Sequence, residues 1–351
     1  MTIAVGLSGG VDSSVTAWLL KQEGHRVIGA TMQLVPEQEN TTVADARKVA
    51  EFLDIPHHVI NLEKAYHETI INYIGEEYAR GRTPNPCVCC NRAIKFGLFL
   101  DRIEQLAGPV DKMATGHFAD IVRAEPSGRL SVRQGSHREK DQAYFLSLLS
   151  QKQLERIIFP LADKSKPEVR ELAREAGLFT SDKTESQDLC VGEYRKWINT
   201  GGPGDFVTAE GKKIGRHQGI GNYTIGQRKG LGVSSTEPLF VTRLDTASNR
   251  VFLSPREEDL LSDRMIIGAI NWMGIEEPEP PAIFEKIKIR YADSGEKGVL
   301  QERLSDGRWL VRFENKRRAI TPGQLAVFYN SDRVELAGII ESVSKIDPEF
   351  A

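Results

Sequence analysis

Two groups of residues in this 351-residue chain have types and spacings that could do chemistry. The first is Ser8-Gly9-Gly10-Val11-Asp12-Ser13-Ser14, which follows the apolar stretch Ile3-Ala4-Val5-Gly6-Leu7. Gly9 and Gly10 let the backbone turn tightly and bring amide N–H groups close to an anion. Ser8, Ser13 and Ser14 add hydroxyl donors, and a helix starting here offers its positive N-terminal end to a phosphate. Asp12 could hold Mg²⁺ on a departing pyrophosphate. The Gly-Lys-Ser/Thr ending of a Walker A loop is absent, and the spacing is not a dinucleotide fingerprint. The second group is the four cysteines, Cys87, Cys89, Cys90 and Cys190, three of them within four residues. In a reducing compartment this clustering reads as metal binding or catalysis rather than as a structural disulfide. Cys89 alone reads as a small buried apolar residue.

The elements that must position these groups follow from periodicity. Residues 2 to about 120 alternate between strands and helices. Strands are expected at Ile3 to Leu7, Arg26 to Met32, His57 to Ile60 and Met113 to Gly116, with helices at Ser13 to Gln22 and Val43 to Leu53. Alternation of this kind implies α/β architecture, a doubly wound parallel sheet with helices on both faces. Residues 141 to 177 read as mostly helical, and Pro167 sits at a helix start. Glycines crowd residues 200 to 235. Beyond the proline-rich stretch 277–281, short alternating segments predict an antiparallel sheet or barrel. The expected domains are 1–195, 196–262 and 263–351. The composition, 40% hydrophobic and 27% charged, is that of an ordinary globular protein. No run of about 18 apolar residues predicts a membrane span, and no secretory signal opens the chain, so the expected location is cytoplasmic. With a net charge of −3, nucleic acid would have to be bound through local patches and shape.

The Ser8–Ser14 string resembles the PP-loop of the N-type ATP pyrophosphatases, which cleave between the α- and β-phosphates and leave AMP on the substrate. Thr83-Pro84-Asn85-Pro86-Cys87-Val88-Cys89-Cys90-Asn91 narrows the choice. So do Thr115-Gly116-His117, Asp141 to Leu146, Ser186 to Cys190 and the long motif Tyr223 to Gly232. Together they resemble the bacterial tRNA-specific 2-thiouridylase family, over nearly the whole chain. The resemblance implies a PP-loop ATPase domain, a small central domain and a C-terminal β-barrel. It implies ATP-dependent adenylation of the C2 oxygen of the wobble uridine in tRNA, then sulfur transfer to C2. The ATP site implied is Gly6, Leu7, Ser8, Gly9, Gly10, Val11, Asp12, Ser13, Met32 and Gly116. Asn85, Pro86 and Cys87 would meet the target base, with His117, Lys140, Asp141, Gln142, Arg290, Tyr291 and Gln324 as further tRNA contacts. Arg and Lys would meet phosphates and Tyr291 could stack on a base or sugar.

The same resemblance makes Cys90 the cysteine that acts at the base and Cys190 the carrier of a persulfide. The chain departs from the family in one place that matters: Cys87 stands where aspartate is usual. Cys87, Cys90 and Cys190 supply three thiolates, a set that suits a [4Fe-4S] cluster with one open iron. The two routes, cluster and persulfide, both require Cys90 and Cys190. A zinc site lacks an evident fourth ligand. Val191 replaces a usual phenylalanine without removing chemistry. The sulfur donor implied is a cysteine desulfurase, a relay protein or free sulfide. A small-molecule PP-loop adenylating ligase is the competing enzyme reading, but it leaves the cysteines unexplained. A non-catalytic iron–sulfur or RNA-binding module leaves the ATP loop unexplained.

Overall fold

The computed structural model describes residues 1–36, 41–183 and 199–343. The chain begins with β1 (Thr2–Gly6), α1 (Val11–Gln22), β2 (Arg26–Gln33), α2 (Thr42–Phe52) and β3 (His57–Asn61). Short helices α3 (Glu63–Tyr66) and α4 (Asn72–Ala79) lead to α5 (Pro86–Cys90) and α6 (Phe99–Ala107). The strands β4 (Lys112–Ala114), β5 (Ala119–Ala124) and β6 (Arg129–Gln134) follow. After α7 (Ala143–Leu146) and α8 (Gln151–Leu154) come β7 (Ile157–Ile158) and α9 (Lys166–Glu175). The first sheet has the order β3-β2-β1-β4-β7, with every pair parallel. Ile3, Ala4 and Val5 are fully buried, as expected for a strand covered on both faces. Reversal of strand order beside β1 opens a crevice at the C-terminal ends of β1 and β4, the usual ligand position in such sheets.

A second sheet, of order β10-β11-β8-β9, comprises β8 (Gly204–Val207), β9 (Lys213–His217), β10 (Phe240–Asp245) and β11 (Arg250–Ser254). The last is a closed barrel. It is built from β12 (Leu261–Trp272), β13 (Ala282–Lys288), β14 (Glu296–Arg303), β15 (Trp309–Arg318), β16 (Leu325–Asn330) and β17 (Arg333–Ser342). Its order is β12-β15-β14-β13-β16-β17, and pairing of β12 with β17 closes it. Closure leaves no open edge inside the ring.

Two features were not legible beforehand. The stretch expected to be mostly helical is three helices with the short strand β7 between the last two, and Ser150 and Ser165 each start a new helix as the cap of a capping box. The hairpin β5–β6 belongs to neither flanking helical layer. It joins the barrel sheet at β17, where Arg133 pairs with Arg333. One apolar core therefore runs from Ala4 and Ile28 through Val88, Cys90 and Tyr144 to Val132, Val327 and Val334. The α/β domain and the barrel share it.

Candidate functional site

The phosphate loop is shaped by close backbone approaches. Gly9 has φ +66°, and a Cβ there would lie 2.9 Å from both Asp45 Cβ and Thr42 O. A Cβ on Gly116 would lie 2.7 Å from Asp12 Cβ, so the turn after β4 lies flush on the start of α1. Ser8 N donates to Ser13 Oγ at 3.1 Å, and Ser13 Oγ donates to Gly10 O at 3.2 Å. Ser14 is buried and donates to Gly10 O at 2.8 Å, so it braces the loop from inside the helix. Two lysines distant in sequence reach the loop. Lys166 Nζ lies 2.6 Å from Asp12 Oδ1. Lys183 Nζ donates to Gly9 O at 2.8 Å and to Asp45 Oδ2 at 2.6 Å, and holds the Asp45 carboxyl below its ordinary range. Lys166 is the first residue of α9, fixed there by the Ser165 cap.

A cleft of about 210 Å³ opens beside the loop. Gly6, Leu7, Ser8, Asp12, Ser13, Met32 and Gly116 line it, seven of the ten residues expected at the ATP site. Gly9, Gly10 and Val11 complete the loop behind them. His117 and Gln142, expected at tRNA, also line this cleft, as do Lys95, Phe99 and Thr115, which sequence reasoning missed. His117 Nδ1 is 2.6 Å from Thr115 Oγ1, and its ring packs edge-on to Phe159. Burial and then the nearby Lys95 hold the His117 pKa well below its ordinary value, so it stands neutral at pH 7. Gln142 Oε1 accepts from Phe118 N at 3.1 Å. A larger cleft, of about 620 Å³, lies where the three domains meet beside Arg82, Phe252 and Ile320, and shares no wall with this one.

Three of the four cysteines, Cys87, Cys89 and Cys90, sit on α5. Asn85 caps this helix by accepting from Val88 N at 3.4 Å, and Pro86 occupies its first turn. Cys87 and Cys90 are three residues apart and share a helix face; Cys90 is buried and Cys87 half-buried. Cys89 faces Tyr73, and burial pushes its thiol pKa up, which suits an inert packing residue. Cys190 lies outside the described residues. Beyond Cys90 the helical stretch continues through π-wound turns, Asn91–Leu98, into α6. The cysteine pair and the cleft residues Lys95 and Phe99 thus share one continuous rod.

The barrel meets α5 across α7. Asn91 Nδ2 donates to Phe145 O at 3.0 Å, and the buried Tyr144 hydroxyl donates to Leu325 O at 3.1 Å. The Phe145 ring lies 4.5 Å from that of Tyr291, which is 38% exposed and has Lys288 Nζ 5.8 Å above it. Tyr291 and the exposed Arg290 therefore lie against α7, which in turn is bonded to the end of the cysteine helix. Asp141 is not on the surface: it is 4% exposed and accepts from Gln134 Nε2 at 2.6 Å and Ala143 N at 3.0 Å. Of Lys140 only the backbone, in a short 3₁₀ turn, is described. Gln324 Nε2 donates inward, to the carbonyls of Thr83 and Pro84. Among the described residues no three His, Cys, Asp or Glu side chains gather as a metal site, and no helix is long and apolar enough to cross a membrane.

Three family models match consecutive parts of the chain. They are the tRNA methyl transferase HUP domain over residues 1–193, the tRNA methyl transferase PRC-barrel domain over 195–255 and the aminomethyltransferase beta-barrel domain over 262–340. The tRNA-specific 2-thiouridylase MnmA 1 of Caldanaerobacter subterraneus subsp. tengcongensis is 42% identical, covering 97% of each chain. The tRNA-specific 2-thiouridylase MnmA of Lachnoclostridium phytofermentans is 41% identical over 96% of this chain and 99% of its own. That of Treponema denticola is 40% identical over 99% of each. With likeness of that depth along its whole length, and with the phosphate loop and cysteine helix on one rod-linked site, the chain belongs to the tRNA-specific 2-thiouridylase family.

Proposed function

We propose that this enzyme, a tRNA sulfurtransferase, uses ATP to replace the C2 oxygen of the wobble uridine (U34) by sulfur. The observation that carries the reading is the Pro86–Ala107 helical stretch. It bears Cys87 and Cys90 at one end and, about 7 Å further along, Lys95 in the wall of the phosphate-loop cleft. A base activated in the cleft would lie within reach of the thiols.

In the first step the uridine C2 oxygen attacks the α-phosphorus of ATP, the α–β anhydride bond breaks and pyrophosphate leaves. The loop amides and Ser8 cradle the phosphates, Lys166 and Lys183 offset their charge, and Met32 flanks the adenine. Asp12, at the mouth of the helix, would hold Mg²⁺, which neutralises the departing pyrophosphate. A carbonyl oxygen is a poor leaving group and AMP is a good one, so adenylation prepares C2 for attack. In the second step sulfur adds to C2 and AMP departs with the oxygen. The wobble base must leave its stack to arrive there. Tyr291 backed by Phe145 offers it, or its sugar, a stacking surface, with Arg290 and Lys288 at the phosphates.

Two sulfur carriers fit the cysteines. As a persulfide on Cys190, the terminal sulfur adds to C2. The Cys90 thiolate then attacks the Cys190 sulfur, breaking its bond to the transferred sulfur so that 2-thiouridine leaves, and the resulting Cys90–Cys190 disulfide is reduced by an external thiol. Alternatively, Cys87, Cys90 and Cys190 would hold a [4Fe-4S] cluster, which when bound supplies sulfur already reduced as hydrosulfide. The shared helix face of Cys87 and Cys90 supports the second, since it gives the departure at position 87 a role. Sulfur itself would come from a cysteine desulfurase, a relay protein or sulfide.

The test is anaerobic purification with iron and sulfide analysis, alongside mass analysis of nucleosides from tRNA incubated with ATP and sulfide. We expect 2-thiouridine, AMP and pyrophosphate from the wild type and no 2-thiouridine from Cys90→Ser. Iron-containing protein that loses iron and activity in Cys87→Ser supports the cluster; an iron-free, fully active Cys87→Ser protein eliminates it.

A further inference from the structure

The barrel grips the chain immediately ahead of the cysteine helix, and it does so through one triplet, Pro322-Gly323-Gln324. Pro322 O accepts from Thr83 N at 2.8 Å. Gly323, at φ +91°, lies flat against Thr83: a Cβ on it would stand 2.8 Å from Thr83 O and 2.9 Å from Thr83 N. Gln324 Nε2 then donates to Thr83 O at 2.9 Å and to Pro84 O at 3.2 Å. Both neighbours are carbonyls, so the amide nitrogen must face them. The triplet is itself rigid, because Gly323 N donates to Ile340 O at 2.8 Å and Ile340 N to Gln324 O at 2.9 Å within the barrel. The central domain adds a third hold: the Thr83 and Thr224 hydroxyls lie 3.1 Å apart. Thr224 belongs to the long Tyr223–Gly232 motif, for which the reaction steps above find no use.

We propose that Gln324 is a positioning residue, which fixes the Thr83–Pro84 backbone and thereby sets where α5 presents Cys87 and Cys90; Thr224 assists it from the central domain. This rests on the proposed sulfur transfer, whose thiols it places. The transmission is short and stiff. Pro84 and Pro86 have φ fixed by their rings, so once the carbonyls of residues 83 and 84 are pinned, few torsions separate them from Cys87. Gln324 Nε2 is already committed to the protein, and a phosphate oxygen needs a donor. Donation from this side chain to a phosphate oxygen would compete with its bonds to these carbonyls.

The experiment uses full-length protein carrying Gln324→Ala, with Thr224→Val as a second, near-isosteric variant whose folding is not at issue in the same way. Single-turnover 2-thiouridine formation at saturating tRNA is measured beside the dissociation constants for tRNA and ATP. Positioning predicts a fall of about 10- to 100-fold in the single-turnover rate for Gln324→Ala, since a small misplacement of a reacting group is that costly. A smaller fall in the same direction is expected for Thr224→Val, with both dissociation constants within about twofold of wild type. A weakened tRNA dissociation constant with the saturated rate unchanged would overturn the proposal in favour of an RNA contact, and no change in any quantity would overturn it outright. If the wild type makes no 2-thiouridine, the functional reading fails separately. The deciding measurement is then the rate at which iodoacetamide labels Cys87 and Cys90 in RNA-free protein. A rate altered by either variant supports the brace, and unaltered rates in both refute it.

Discussion

At the scale of single residues, the site is a set of charges and donors brought from far apart in sequence. Asp12 alone would be an acid at a helix N-terminus. With Lys166 Nζ 2.6 Å away it becomes half of an ion pair beside the cleft, and Lys166 is only 11% exposed. In the proposed reaction a triphosphate at the loop would meet that ammonium, already in place and largely dehydrated, where charge interactions are stronger than in water. Replacing Lys166 by Met keeps most of the stem and deletes the charge. We expect kcat/KM for ATP to fall about 10- to 100-fold, with tRNA affinity unchanged, in assays of pyrophosphate release. An unchanged value would remove Lys166 from the phosphate site. His117 contributes differently: held neutral by burial, it can accept or donate one hydrogen bond in the cleft without bringing charge.

At the scale of elements, the strands around the loop carry a pH dependence. His57, at the head of β3, faces Thr31 Oγ1 at 2.8 Å, and that hydroxyl donates to Leu7 O at 2.9 Å just before the loop. The hydroxyl's proton is thus committed to Leu7, and His57 Nε2–H donates to its oxygen. Burial first, then Arg47 and His58, push the His57 pKa down from 6.5 to about 4. A base whose folded pKa is depressed stabilises the fold above its unfolded pKa, near 6.5, and that contribution is lost as pH falls toward 4. The thermal midpoint should therefore drop between pH 7 and pH 5, and drop less in His57→Gln, whose amide can still donate to Thr31. Equal slopes in the two proteins would show that β3 does not titrate. Helix α9 shows the same coupling of element to site, since the Ser165 capping box that starts it also places Lys166.

At the scale of the molecule, the α/β domain and the barrel are one body rather than beads on a chain. The β5–β6 hairpin leaves the first domain and pairs with β17. Arg129 of that hairpin donates to Met273 O at 3.1 Å and Trp272 O at 2.8 Å at the end of β12. Gln134 N donates to Asp332 O at 2.9 Å, and Arg82 bridges Glu77 of the first domain and Glu341 of the barrel. The shared core beneath these bonds means that neither part can unfold without exposing the other. Denaturant unfolding followed by fluorescence and by circular dichroism should give coincident transitions for these two domains. Arg129→Ala should lower stability by about 1.5–3 kcal/mol, the worth of hydrogen bonds from a charged donor. Two separated transitions, or a silent Arg129→Ala, would show that the interface is not an energetic unit.

The sequence by itself determined what is written in local pattern. The phosphate loop needs glycines at Gly9 and Gly10 and a strand and helix on either side, and each of these is a short-range property. The alternation that gives the parallel sheet and the period-two strands of the barrel are equally local, as is the Asn85-Pro86 start of the cysteine helix. The spacing of Cys87 and Cys90 puts both on one face only because the structure makes this stretch helical. What only the tertiary structure decided are the meetings across long stretches of chain. Lys166 and Lys183 reach the loop from more than 150 residues away, and Gln324 reaches Thr83 across 241. The β5–β6 hairpin has ordinary strand composition, and nothing in it announces that its partner is β17. The direction of a polar side chain is likewise invisible in sequence. Asp141 and Gln324, which motif likeness assigns to RNA, turn inward because a buried backbone carbonyl or amide without a partner costs more than a surface contact returns.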